Sequence, residues 1–92
     1  MNFGKALEAL KAGKKVARKG WNGKGMFLYM THSKVVPYSK ADLETQKAFI
    51  AHDKSTVTYN GYINMRAADG FVVVGWLASQ TDMLSEDWYI VD

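Results

Sequence analysis

Cysteine is absent from this 92-residue chain and proline occurs once. No apolar run approaches the ~18–20 residues that a membrane-spanning helix needs. Without cysteine there is no disulfide framework and no thiolate metal site, so packing or assembly must hold the fold. The same absence fits a cytoplasmic location. No repeat, low-complexity tract or linker interrupts the chain, and the N-terminus lacks the apolar stretch and cleavage site of a signal peptide. Acidic residues are scarce at the start. Glu8 stands alone there against Lys5, Lys11, Lys14, Lys15, Arg18, Lys19 and Lys24, seven of the twelve cations. A basic end of this kind either faces an anion or forms a solvated surface.

Aromatics, by contrast, are abundant: three tryptophans, five tyrosines and four phenylalanines. A monomer this small buries only about 60–65% of its unfolded surface. Its expected stability is about 5–14 kcal/mol. So many rings exceed what such an interior hides, which points some of them at a ligand or at another subunit. A hydrophobic content of 48% with 23% charged residues argues against disorder. The length supports a single ligand-binding domain spanning residues 1–92.

The apolar spacing of Phe3, Ala6, Leu7 and Leu10 predicts a helix over residues 2–12, capped by Asn2 and closed at Gly13. A short strand over Lys14–Arg18 follows, with Val16 inward. Gly20-Trp21-Asn22-Gly23-Lys24-Gly25 reads as a loop whose glycines permit positive φ and close approach. Met26–Thr31 reads as a strand. Between residues 33 and 60 the pattern weakens. Val35–Tyr38 reads as an edge, because Pro37 cannot donate to a ladder. Ser39 and Asp42 resemble a capping pair for a helix over Ala41–His52, with a disordered excursion as the competing reading. Ser55–Tyr59 returns to strand, and Asn60-Gly61 is a candidate tight turn. The last third is clearer: Tyr62–Ala67 and Phe71–Val74 flank an Asp69-Gly70 hairpin turn. Ser79 caps a short helical turn, and Trp88–Val91 forms a closing strand. The fold class expected is α+β, a small antiparallel sheet with an N-terminal helix and short helical turns, assembling as a homo-oligomer.

Catalysis finds little support in these residues. His32 and His52 belong to no metal spacing, and Ser39, Ser55, Ser79 and Ser85 lack a nucleophile elbow. No enzyme activity, metal or cofactor is expected. Binding is better served. Trp21, set in a glycine loop beside Arg18 and Lys19, offers a stacking plane, charge for phosphate and free amides. Its competing role is to close the sheet edge. In the second segment, Trp76 and the capped turn at Ser79, Gln80, Thr81 and Asp82 could meet a nucleotide. Asp82, Asp87, Asn22 and Gln80 would suit ribose hydroxyls. Trp88 is expected in the core. Arg66 either pairs with Asp69 or meets a phosphate. Nucleic acid is a weak alternative, since the basic patch is small.

Asn2-Phe3-Gly4, Gly13 through Val16 and Arg18, and Gly20-Trp21-Asn22-Gly23 resemble one end of a known family signature. Ala68-Asp69-Gly70, and Trp76-Leu77-Ala78-Ser79-Gln80-Thr81-Asp82-Met83-Leu84 with Asp87-Trp88, resemble the other. The family is that of the phage Thoeris anti-defence proteins of the second type. The resemblance implies a homotetramer in the cytoplasm of an infected bacterium. It implies a sponge that sequesters a cyclic ADP-ribose-type immune signal, glycocyclic ADP-ribose, without degrading it, so that the Thoeris effector stays inactive. A sponge for cyclic di- or trinucleotides is one alternative, and a hydrolase of the same signal is another. The site residues implied are Trp21, Asn22, Trp76, Ser79, Gln80, Thr81, Asp82 and Asp87. Phe27 and Arg66 join them from neighbouring strands.

Overall fold

The computed structural model describes residues 1–49 and 55–92. His52, a candidate from the sequence, and the end of the helix expected to reach it lie outside the described residues. The first helix, α1, spans Phe3–Lys11, and the Asn2 side chain accepts from the Lys5 amide as its cap. Gly13 has φ +87°, the left-handed conformation expected just past the helix. His32 then donates to the Lys11 carbonyl at 3.0 Å, so it serves the exposed end of α1.

Strands β1 (Lys15–Arg18), β2 (Phe27–Thr31), β5 (Tyr62–Arg66), β6 (Val72–Val74) and β7 (Trp88–Val91) form one sheet in the order β6-β5-β2-β1-β7. Every pairing in it is antiparallel. Strands β3 (Lys34–Pro37) and β4 (Thr56–Tyr59) pair separately as a two-stranded arm. The chain measures 47 × 26 × 25 Å, with a radius of gyration of 16.2 Å. About 12 Å is usual for this length, so the molecule is elongated.

Register sorts the side chains onto two faces. Val16 faces Leu28, Leu28 pairs with Met65, and Met30 pairs with Ile63. These residues pack with Ala6, Ala9 and Leu10 of α1 and with Trp88, making the core. Alternation puts Lys15, Ala17, Phe27, Tyr29, Thr31, Tyr62, Asn64, Arg66, Tyr89 and Val91 on the opposite face. There Lys15 and Arg66 lie over the Phe27 ring, at 5.1 and 5.9 Å from its centroid. Asn64 donates to the Thr31 hydroxyl at 2.8 Å, while its own buried amide oxygen has no protein partner among the described residues.

Two local expectations are corrected. Asp42, not Ser39, caps the second helix, α2 (Leu43–Ala48), while Ser39 lies in a 3-10 turn over Tyr38–Lys40. The aspartate prevails because its two oxygens take both the amide and the hydroxyl of Thr45. Asn60-Gly61 is not a hairpin turn. It passes from the arm to the main sheet, so β4 and β5 are not partners and Gly61 needs no positive φ. The expected Asp69-Gly70 hairpin is present, with Ala68–Gly70 as its loop. The Ala67 amide donates to the Phe71 carbonyl, and Gly70 alone adopts positive φ, at +90°. That is a three-residue turn with a glycine bulge rather than a two-residue one.

Candidate functional site

The site is assembled where β1 ends against the turn that precedes β7. Arg18 lies opposite Trp88 in the register. Its Nε donates to Asp87 Oδ1 at 2.9 Å and its Nη1 to Asp82 Oδ1 at 2.7 Å. Asp87 Oδ2 accepts the Gly20 amide at 2.8 Å, and Asp82 Oδ1 also accepts the Trp21 indole N–H at 3.2 Å. Asp82 Oδ2 takes the Ser79 amide while Ser79 Oγ takes the Asp82 amide, a complete capping box for α3 (Gln80–Leu84). The three tryptophans meet beside this cluster. Trp21 stands edge-on to Trp88 at 5.4 Å and to Trp76 at 6.4 Å, and Trp76 meets Trp88 at 6.4 Å. The Trp88 indole donates to the Asp82 carbonyl at 3.0 Å.

Trp88 is 2% exposed and belongs to the core, as expected. Trp21 is half-buried at the edge of the core. It closes the end of the core, and it also lines a cavity of about 260 Å³ with Arg18, Lys19, Lys24, Met26, Phe27 and Tyr89. Trp76 is half-buried against the other two tryptophans. Asn22 is exposed on the glycine loop, and Ser79, Gln80 and Thr81 are exposed at the start of α3. Phe27 and Arg66 are cross-strand partners on the opposite sheet face. Arg66 does not pair with Asp69: its Nη1 donates to the Gly25 carbonyl at 2.8 Å, and the Asp69 carboxylate accepts the Phe71 amide instead. A larger cavity of about 390 Å³ lies elsewhere, between the arm and the main sheet, and includes Lys34, Lys40, Tyr59 and Tyr62.

The glycines of the loop serve the protein's own packing. A methyl group on Gly20 would lie 2.9 Å from Asp87 Oδ2, and one on Gly23 would lie 2.8 Å from the Ala68 Cβ. Of the three, only Gly25 has positive φ. In the sequence Arg18 stands beside Trp21 as a charge suited to phosphate, whereas in the fold its Nε and Nη1 are taken by Asp87 and Asp82. Its two partners lie 64 and 69 positions away, and no local pattern links them. Arg18 also lines the cavity, but its Nε and Nη1 are engaged by Asp87 and Asp82, so the cations there that carry no carboxylate are Lys19 and Lys24.

Residues 1–91 match the Tad2-like family, described as the Thoeris anti-defense 2-like domain. The relative Thoeris anti-defense 2 of Bacillus phage SP01 is 39% identical over 92 residues, covering 99% of this chain and 94% of that protein. The chain belongs to the Thoeris anti-defense 2-like family. Membership gives it a phage anti-Thoeris role. Among the described residues no helix is long and apolar enough to cross a membrane.

In this Thoeris anti-defense 2-like chain the buried Asp82 and the partly exposed Asp87 are both held ionised. Burial pushes the Asp82 carboxyl up, but the bonds from Arg18, the Ser79 amide and the Trp21 indole outweigh it and bring it below the ordinary value. Asp87 is lowered chiefly by Arg18, against some desolvation, with help from the Gly20 amide. A carboxyl lowered on folding stabilises above its unfolded value of ~3.9, and that stability is lost as pH falls through the folded value. The urea midpoint should therefore stay flat from about pH 8 to 5 and drop below about pH 4. A drop already between pH 7 and 5 would contradict this account of the cluster.

Proposed function

We propose that this chain is a non-catalytic sponge that captures a cyclic ADP-ribose-type signal, glycocyclic ADP-ribose, in the infected host's cytoplasm. The observation that supports it best is the double position of Trp21. The indole is fixed by the tryptophan cluster and Asp82, and the same residue lines a cavity that also holds Arg18, Lys19, Lys24 and Phe27. A preformed aromatic plane beside two lysines suits a base and a pyrophosphate without ordering costs at binding. For a sponge acting at ~10 nM the binding free energy is about −11 kcal/mol. Stacking of ~1–3 kcal/mol per base supplies a fraction of it, and charge-assisted phosphate bonds the rest.

The cavity of about 260 Å³ falls below the ~300–1,000 Å³ common for ligand sites. A pocket completed by a second subunit of a homotetramer fits that size. A hydrolase that protonates its leaving group needs a proton donor near neutral pH. Asp82 and Asp87 are poor candidates, since Arg18 keeps both ionised. Capture of cyclic di- or trinucleotides is a second reading, favoured by the larger cavity with its two lysines and two tyrosines.

The test is to mix protein with an equimolar amount of glycocyclic ADP-ribose, remove free ligand, heat the complex and analyse what is released. Intact signal, bound in proportion to protein, is the expected result. Conversion of excess signal by a small amount of protein would instead establish a hydrolase. Failure to retain the signal, with retention of a cyclic dinucleotide or trinucleotide, would establish the second reading.

A further inference from the structure

We infer that Arg18 is a positioning residue for the Trp21 plane, acting through Asp82 and Asp87 rather than as a free charge for phosphate. The inference rests on the reading of Trp21 as a ligand contact. Its basis is connectivity. Arg18 is the last residue of β1, with a side chain 12% exposed and a carboxylate on each of two donor nitrogens. Through Asp82 it is joined to the indole N–H of Trp21 and to the cap of α3. Through Asp87 it is joined to the amide of Gly20, the residue just before Trp21. Both the ring and the backbone leading to it are thus tied to one guanidinium.

Charge and shape explain why an arginine is used. Two aspartates against one arginine leave the cluster with a net charge of −1, so it does not attract anions. A partly buried ion cluster contributes little stability compared with apolar residues of the same volume. What the cluster supplies is direction. The guanidinium is planar with donors at fixed angles, and its Nε and Nη1 reach two different carboxylates. A lysine ammonium keeps the charge but is a point on a flexible stem, and it cannot hold both carboxylates in the same relative placement. In Arg18→Lys the Asp82 carboxylate is held by the Ser79 amide alone at its other oxygen, the oxygen that receives the indole loses its guanidinium partner, and Trp21 gains freedom to turn.

A double-mutant cycle tests this with Arg18→Lys and Trp21→Phe, the second keeping an aromatic plane but removing the N–H that Asp82 receives. Glycocyclic ADP-ribose affinity is measured by calorimetry, and near-ultraviolet circular dichroism is recorded on the ligand-free proteins well below their melting temperatures. Arg18→Lys should weaken binding about tenfold or more in the native background and less than about threefold beside Trp21→Phe. It should also alter the tryptophan dichroism of the native background far more than that of Trp21→Phe. Additive losses, or an Arg18→Lys affinity within about threefold of native, would overturn the proposal. If the native protein does not bind the signal, the functional reading fails. The dichroism then decides the positioning role alone, and an equal change in both backgrounds refutes it.

Discussion

Trp21→Ala is expected to weaken capture of the cyclic ADP-ribose signal by about 5–150-fold or more and, at the same time, to lower the stability of the free protein. The first effect follows from its place at the cavity beside Lys19, Lys24 and Phe27. Loss of a stacked base is worth ~1–3 kcal/mol, or roughly 5–150-fold in affinity, before any disorder of the loop is counted. The second follows from its edge contacts with Trp88 and Trp76 and its bond to Asp82. Those contacts and the lost area together give about 2–3 kcal/mol of destabilisation. Calorimetry at 10–15 °C, where the weakened fold still holds, separates the two effects. An unchanged affinity would remove Trp21 from the site.

Trp88→Ala should produce the largest loss of stability, about 3–5 kcal/mol against a total of about 5–14 kcal/mol. Trp88 is the largest fully buried side chain and meets Phe3 at 5.4 Å as well as the other two tryptophans. Its truncation opens a cavity under α1 and leaves the Asp82 carbonyl without its indole partner. Urea unfolding followed by far-ultraviolet circular dichroism measures the loss. A loss below about 1 kcal/mol would mean that the core is centred elsewhere, around Leu10 and Leu28.

The parts of the fold legible in the sequence are those whose determinants lie within a few residues of each other. Asn2 caps α1 from three residues away, Ser79 and Asp82 close the box of α3, and Gly70 marks the hairpin between β5 and β6. What could not be read depends on distant partners. Arg18 is one lysine-like cation in the sequence, and only the pairing of β1 with β7 brings it to Asp87 and Asp82. Arg66 has an acidic residue three positions on, yet the cross-strand Phe27 and the Gly25 carbonyl take it instead. Asn60-Gly61 has the composition of a hairpin turn, but the two strands it joins belong to different sheets. The candidate site shows the same division. Its residue types were visible as tryptophans in polar turns, whereas the commitment of Asp82 and Asp87 to Arg18 was not.

The two-faced sheet also bears on how such a protein can change over time. Along β2 and β5, Leu28, Met30, Ile63 and Met65 are tied to α1, while Phe27, Tyr29, Tyr62 and Arg66 between them are not. Substitutions at every second residue can therefore reshape one surface without disturbing the packing that keeps the domain folded. That separation leaves one surface open to change by single replacements, with the interior left as it was.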